Sequence, residues 1–336
     1  MPDPRLKSHP SVVVRHLSAA GETLAQRQET VVGRRGNVPP WPDADEVDFH
    51  GTLAAIWIWA RHERLSGTEQ FATARATAWT FCEIASKRFV PESLDSVVDD
   101  EAAYDCAMVL IAGAAEAAIA ELEGRRASIV ERAARVLANH LHSLESMSGR
   151  EFRDPGLLAY ALIDYARATD DRGILSVGRR FVERAFGMKP PAPFVNEPAV
   201  AGGLFDFSST TATRILAVIA AEGTTPFVGA WLRERIAAGS PPGFVRRRMD
   251  ETCWNACVAW GLGRAYVVST DPAFLAAYGN LIEELQRRDV VGDGTLARGP
   301  GMPEGDTLAT LYYALAVDAL VTEEAAIAAQ WEALGG

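Results

Sequence analysis

The stretch Met249 to Pro272 reads MDETCWNACVAWGLGRAYVVSTDP. Cys253, Trp254, Cys257, Val258, Trp260, Leu262 and Ala265 fall on every side of a helix drawn through it. A helix that is apolar all round is buried all round. It stops at Ser269-Thr270-Asp271-Pro272, where Asp271 and Pro272 read as the N-cap and first residue of another helix. From Ala273 to Arg287 that next helix is one-sided. Phe274, Leu275, Tyr278, Leu281, Ile282 and Leu285 share one face, with Asn280, Glu283, Glu284 and Arg287 on the other. The unit is therefore a buried helix, a tight turn and a half-exposed helix.

The same unit recurs outward from this stretch. Turn chemistry appears near Gly67, Gly124, Asp170, Gly223, Asp271 and Thr322, at intervals of about fifty residues, the mark of a helical repeat. First helices rich in apolar residues run through Leu53–Ala60, Cys106–Ala112, Leu157–Ile163, Ile215–Ala221 and Leu308–Leu320. Second helices are amphipathic: Ile129, Val136 and Leu144 oppose Glu131, Arg132 and Arg135, and Ile174, Val177 and Phe181 oppose Arg179, Arg180 and Glu183. Strand patterns are nearly absent. An open stack of hairpins needs polar caps on its end faces, whereas six hairpins can close on one another. The expected fold is all-α, a closed (α/α)6 toroid over residues 41–336, with residues 1–40 as a helical lead-in segment.

Composition narrows the function. The chain has 336 residues, is 48% hydrophobic and 23% charged, and carries a formal net charge of −11. That balance argues against a nucleic-acid partner; Arg246-Arg247-Arg248 is a short basic run. The longest nearly apolar segment, Cys106 to Ile119, contains Glu116 and is too short to span a bilayer. Met1 to Pro10 is polar and lacks the pattern of a secretory signal. Cys82, Cys106, Cys253 and Cys257 read as small core residues in a reducing, cytoplasmic setting.

Each expected inner helix opens on an aspartate: Asp48, Asp100, Asp154, Asp206, Asp250 and Asp306. Aspartate is a favoured N-cap, so capping alone accounts for the pattern. In a toroid, however, these six starts meet at one mouth, where converging carboxylates raise one another's pKa. Asp100, Asp306, Asp250, Asp48 and His50 are the candidate acid–base groups. Asp43, Asp45, Asp99, Tyr104, Asp105, Arg153, Arg248, Glu251, Asn255, Asp293 and Arg298 lie beside them in sequence. Trp41, Phe205, Phe207, Phe244 and Trp254 are candidate aromatic wall. Of these, Trp41, Asp99, Tyr104, Phe205, Arg248, Trp254 and Asn255 are the candidate substrate contacts. His62, His140 and His142 fall away from the mouth.

The segment Gly292 to Leu315, with Asp293-Gly294, Pro300-Gly301, Asp306 and Tyr313-Ala314-Leu315, resembles the repeat of the terpenoid cyclase and protein prenyltransferase β-subunit superfamily. The segment with Asp250, Cys253 and Trp254 is similar to the one that supplies zinc with an aspartate and a cysteine in the prenyltransferases. That resemblance implies an (α/α)6 toroid holding an isoprenoid or polyene, with cyclase, lyase or isomerase chemistry. The zinc histidine of that family would fall at Ala309, so no zinc is expected. The run Asp99-Asp100-Glu101 lacks the spacing of a magnesium-binding aspartate motif, so no metal or other cofactor is expected. The hairpin turns also resemble those of the six-hairpin glycosidases and unsaturated-uronide hydrolases. Three readings stand open: a terpene-cyclase-like enzyme using mouth carboxylates as acid and base, a carbohydrate-active hydrolase or lyase, and a non-catalytic ligand- or protein-binding toroid.

Overall fold

A computed structural model of the chain describes residues 9–91, 98–144, 155–187, 209–222, 244, 246, 250–289, 292–302 and 305–321. The helices are α1 (Pro10–Arg27), α2 (Phe49–Ser66), α3 (Ala72–Phe89), α4 (Asp100–Ala117), α5 (Gly124–Leu144), α6 (Pro155–Ala168), α7 (Arg172–Val182), α8 (Ser209–Glu222), α9 (Glu251–Ser269), α10 (Pro272–Gln286) and α11 (Thr307–Asp318). A single π-helical turn, Glu183–Gly187, continues α7. Among the described residues the only β pairing is an isolated bridge between Leu296 and Asp306, so the all-α reading holds. No helix among them is long and apolar enough to cross a membrane.

The turns stop helices as their residues require. Gly67 ends α2 in the left-handed conformation at φ 69°, which glycine adopts without steric penalty. Asp171 caps α7 by accepting from the Ile174 N–H at 3.0 Å. Asp271 caps α10 by accepting from Ala273 N–H at 2.9 Å, with Pro272 in the first helical position.

Packing follows an order along the chain. The helix α2 packs against α4, α4 against α6, α6 against α8, α8 against α9, α9 against α11, and α11 against α2. The amphipathic helices α3, α5, α7 and α10 lie on α2, α4, α6 and α9 respectively. Close approach in the first set is set by small residues. A Cβ on Gly156 would stand 2.4 Å from the Arg214 backbone nitrogen, and one on Gly261 would stand 2.9 Å from Ala212 Cβ. Thus α8 is held tightly on both α6 and α9.

Within the lead-in segment, Pro10–Arg27 forms a full helix. Val13, Leu17, Ala20 and Leu24 are buried at helical spacing, and α1 packs on both α2 and α11. The Trp59 indole donates to Gly21 O at 2.9 Å. The first two pairs are also joined by a buried ion network. Arg75 of α3 meets Glu63 of α2 at 2.6 Å and Glu116 of α4 at 2.6 Å. Arg126 reaches Glu116 at 3.2 Å, and the Trp79 indole donates to it at 3.2 Å.

Candidate functional site

The N-terminal ends of α2, α4, α9 and α11 meet, and the contacts among their side chains define the site. His50, in the first turn of α2, points Nε2 at the carboxylate of Asp105 on α4. Asp105 is buried at 5% exposure, while the His50 side chain remains 28% exposed. The His50 ring stands edge-on to Tyr104, with centroids 5.1 Å apart and planes at 81°. Tyr104 in turn brings its hydroxyl to 3.3 Å from that of Tyr312 on α11. Since α4 and α11 each pack on α2, this contact links the two helices that flank it.

On the other side, Arg298 precedes α11 and binds Asp250 at 2.6 Å, with Asp306 4.0 Å away. Burial works against the Arg298 charge, but Asp306, Cys253 and Asp250 outweigh it and raise its pKa. Burial pushes the Asp306 carboxyl above the ordinary aspartate value, against the opposing bond from the Ala309 N–H and the charge of Arg298. Asp48 is raised for the same first cause; the Gly51 N–H and His50 oppose it, and the charges of Asp306 and Glu46 add to it. Burial pushes the Cys253 thiol up to about 12, with Asp306 adding to the rise and Arg298 opposing it. Cys253 is thus a neutral thiol, not a nucleophilic thiolate.

Asp48 and Asp306 are both caps and site carboxyls. Asp48 accepts from the Gly51 N–H at 2.8 Å, and Asp306 from the Ala309 N–H at 2.7 Å. Both are followed four residues later by a threonine, Thr52 or Thr310, whose hydroxyl donates to the aspartate's own carbonyl at 2.7 Å. Each threonine oxygen also accepts an N–H from the incoming chain, Val38 at 2.9 Å and Leu296 at 3.1 Å. The two helix entries are one local structure used twice, and the same Asp-x-x-x-Thr spacing recurs in sequence at Asp206, which lies outside the described residues, and Thr210.

Buried Asn37 completes the first entry. It donates to Glu29 at 2.8 Å and to Glu46 O at 3.1 Å, and accepts from the Asp48 N–H at 2.9 Å. Pro40 O accepts from the Thr307 N–H at 2.9 Å, which ties the start of α2 to the start of α11. On the other side, Thr252 donates to Arg298 O from its backbone at 3.0 Å and to Ala297 O from its hydroxyl at 2.6 Å. Gly294, at φ 82°, lets this loop touch α1: a Cβ there would lie 2.6 Å from the Ala20 nitrogen.

The expected ring of caps holds only in part. At α4 the capping residue is Asp99, which accepts from Ala102 N–H at 2.8 Å. Asp100 is the first residue inside the helix and lies within electrostatic reach of His140 on the outer helix α5. Asp105, more than a turn further on, is the α4 carboxylate that meets His50. Asp250 has φ 56° and makes no capping bond; its carboxylate is held by Arg298 instead. Asn255 is buried and donates back to Glu251 O at 2.7 Å, and Glu251 is buried against Arg288. Trp254 is half-buried against the core. Trp41 is half-buried in the loop before α2, Asp43 and Asp45 are exposed there, and Arg34 binds Asp45. Asp293 accepts from Thr295 N–H and Oγ1 at 2.9 and 2.6 Å, as a turn residue. Phe244 stacks with the Arg246 and Arg288 guanidinium groups. Asp154, Asp206, Arg153, Arg248, Phe205 and Phe207 lie outside the described residues. Among those described, no three His, Cys, Asp or Glu side chains are grouped to hold a metal.

A second polar cluster lies toward the opposite ends of the same helices. Arg61 of α2 bonds Asp318 of α11 at 2.9 Å. Asp164 of α6 is raised by burial, and the charges of Arg264 on α9, Arg167 and Arg61 oppose the rise. Tyr160, one turn before Asp164, stands edge-on to Trp260 of α9 at 4.9 Å. Tyr160, Asp164, Cys253 and Tyr312 each keep some accessible surface, yet burial is the leading influence on all four. Comparison with family models, with curated proteins and with solved structures gave no match for this chain.

Proposed function

We propose that α2, α4, α6, α8, α9 and α11 are the inner helices of a closed six-hairpin toroid, and that its mouth is an acid–base centre acting on a small, polar, sugar-like molecule. The packing order, which returns from α11 to α2, supports the closed architecture. So does the mutual influence of Asp164, Arg61, Arg264 and Asp318, which come from four of these six helices.

The observation that carries the function is the His50–Asp105 pair. A buried carboxylate that accepts a hydrogen bond from Nε2–H leaves Nδ1 as the basic nitrogen and stabilises the imidazolium that forms when Nδ1 accepts a proton. Asp48 and Asp306 supply the complementary role, because a carboxyl raised by burial holds a proton nearer to neutral pH and can give it up in the reaction. Arg298 stands where it can stabilise a developing negative charge, and Tyr104 and Tyr312 offer hydroxyls and ring faces to a bound molecule.

The charged side chains on these helices bear on the substrate class. Arg61, Asp318, Asp164 and Arg264 would be stripped of water by a hydrocarbon with nothing to replace it, which is costly. A hydroxylated ligand replaces those bonds. This favours a sugar-like compound over the isoprenoid implied by the resemblance of the Gly292–Leu315 segment.

The test is a thermal-shift screen of neutral sugars, uronates and oligosaccharides against isoprenoid alcohols and diphosphates, followed by product analysis for each stabilising compound. A hydroxylated compound should stabilise the protein and be converted. Stabilisation by isoprenoids alone would overturn the substrate class, and stabilisation without turnover by any compound would overturn the enzymatic reading.

A further inference from the structure

The exposed large hydrophobic side chains among the described residues are Val31, Val32, Val47 and Ile84, at 65, 97, 43 and 69%. Val47 and Ile84 line a groove of about 970 Å³ along α3, and Gly33, which follows Val31 and Val32 in sequence, lines it too. Scattered single hydrophobics need no explanation, but a gathered set does.

The floor of the groove is built for close approach. Thr73, Thr77, Thr80 and Ile84 recur at helical spacing along α3. The Thr77 hydroxyl donates to Thr73 O at 2.8 Å and that of Thr80 to Ala76 O at 3.1 Å. With their hydroxyls satisfied by their own helix, these threonines offer methyl groups to whatever lies above. The floor extends over an 18-residue helix, about 27 Å at 1.5 Å per residue, which suits another helix laid in the groove.

The rim is cationic. Arg35, Lys87 and Arg88 border the groove, and none of them pairs with a carboxylate among the described residues, although Arg34, Arg61, Arg75, Arg126, Arg287, Arg288 and Arg298 all do. In a chain of net charge −11, three cations without a carboxylate partner among the described residues, set around an apolar floor, select for negative charge. A second copy placed symmetrically on this face would set the same cations against each other.

We propose that the α3 groove is a docking site for an amphipathic helix of a partner protein, with an apolar face set on Thr77, Thr80 and Ile84 and glutamate or aspartate flanks opposite Arg35, Lys87 and Arg88.

The experiment uses the full chain and two fluorescein-labelled 18-residue synthetic helices. Both carry leucines at i, i+3, i+4 and i+7; one has glutamate flanks and the other lysine flanks. Fluorescence anisotropy should show saturable binding of the glutamate helix and none of the lysine helix. Binding should weaken at least tenfold in Ile84→Asp, at least tenfold in the Lys87→Glu/Arg88→Glu double variant, and markedly at high salt. Both variants alter exposed side chains, and circular dichroism verifies that each keeps its helices. Absence of saturable binding, equal binding of the two helices, or indifference to the variants would overturn the proposal. So would an Ile84-dependent dimer in sedimentation, or Ile84-dependent capture by phosphatidylserine-containing vesicles.

Discussion

Replacing Arg75 by methionine tests whether the first two helical pairs are locked together by buried charge. Methionine keeps most of the arginine stem and removes the guanidinium that holds Glu63 and Glu116, each at 2.6 Å. The arginine side chain is 11% exposed and the two glutamates 4% and 2%, so solvent cannot take its place. Glu116 keeps Arg126 and the Trp79 indole, but among the described residues Glu63 is left with the Phe71 N–H alone, at 2.8 Å. Removing one partner of a buried pair costs about 3–5 kcal/mol, mostly through the charge left behind. For a chain of 336 residues, at about 2.1 cal/mol/K of unfolding entropy per residue, that corresponds to a fall in Tm of roughly 4–7 °C. Urea denaturation read by circular dichroism supplies the free energy. Adding Glu63→Gln to Arg75→Met should recover about half of the loss or more, since glutamine still accepts from Phe71 without carrying charge. A cost below about 1 kcal/mol for Arg75→Met, or no recovery in the double variant, would refute the reasoning.

Asp306→Asn should keep the α11 cap, because asparagine caps as well as aspartate, whereas Asp306→Ala should cost about 1–2 kcal/mol. Burial raises the Asp306 pKa, so the folded protein binds that proton more tightly than the unfolded chain. Stability contributed by this group therefore falls as pH rises above the unfolded value of about 3.9, and Asp306→Asn should flatten that part of the urea-midpoint-against-pH curve. Gly156→Ala places a methyl 2.4 Å from the Arg214 nitrogen and should cost about 1–3 kcal/mol in the same assay. With its thiol pushed up to about 12, Cys253 should resist iodoacetamide at pH 8 in the native protein and react in urea, as mass spectrometry of the labelled peptides would show.

Much of the architecture was legible because the fold repeats one local rule. A helix apolar on all sides, a turn and a one-sided helix announce a buried helix with an amphipathic one lying on it, and the starts expected at Asp48, Asp154, Asp250 and Asp306 lie next to Phe49, Pro155, Glu251 and Thr307. The site was legible less well, because a helix start fixes where a residue lies along the chain but not which way it faces. Asp100 and Asp105 are five positions apart, well round the helix from each other. The first lies toward His140 and the second meets His50. Asp250 departs from the capping rule because it is left-handed and held by Arg298, a partner far away in sequence. Asn37 gave no signal, since its role depends on three contacts made by a loop. Two signals were available and unused: the stripe Val13, Leu17, Ala20, Leu24 in α1, and the threonine four residues after Asp48 and Asp306 that receives the incoming chain.

The role of His50 is tested most directly by the turnover rate of His50→Gln on the compound that stabilises and is converted by the native protein. Glutamine retains a donor toward Asp105 but has no basic nitrogen to accept a proton. The rate should fall on the order of a hundredfold or more, while the ligand-induced rise in Tm stays unchanged. Turnover at the native rate in His50→Gln would contradict the assignment of His50 and Asp105 as the proton-transfer pair.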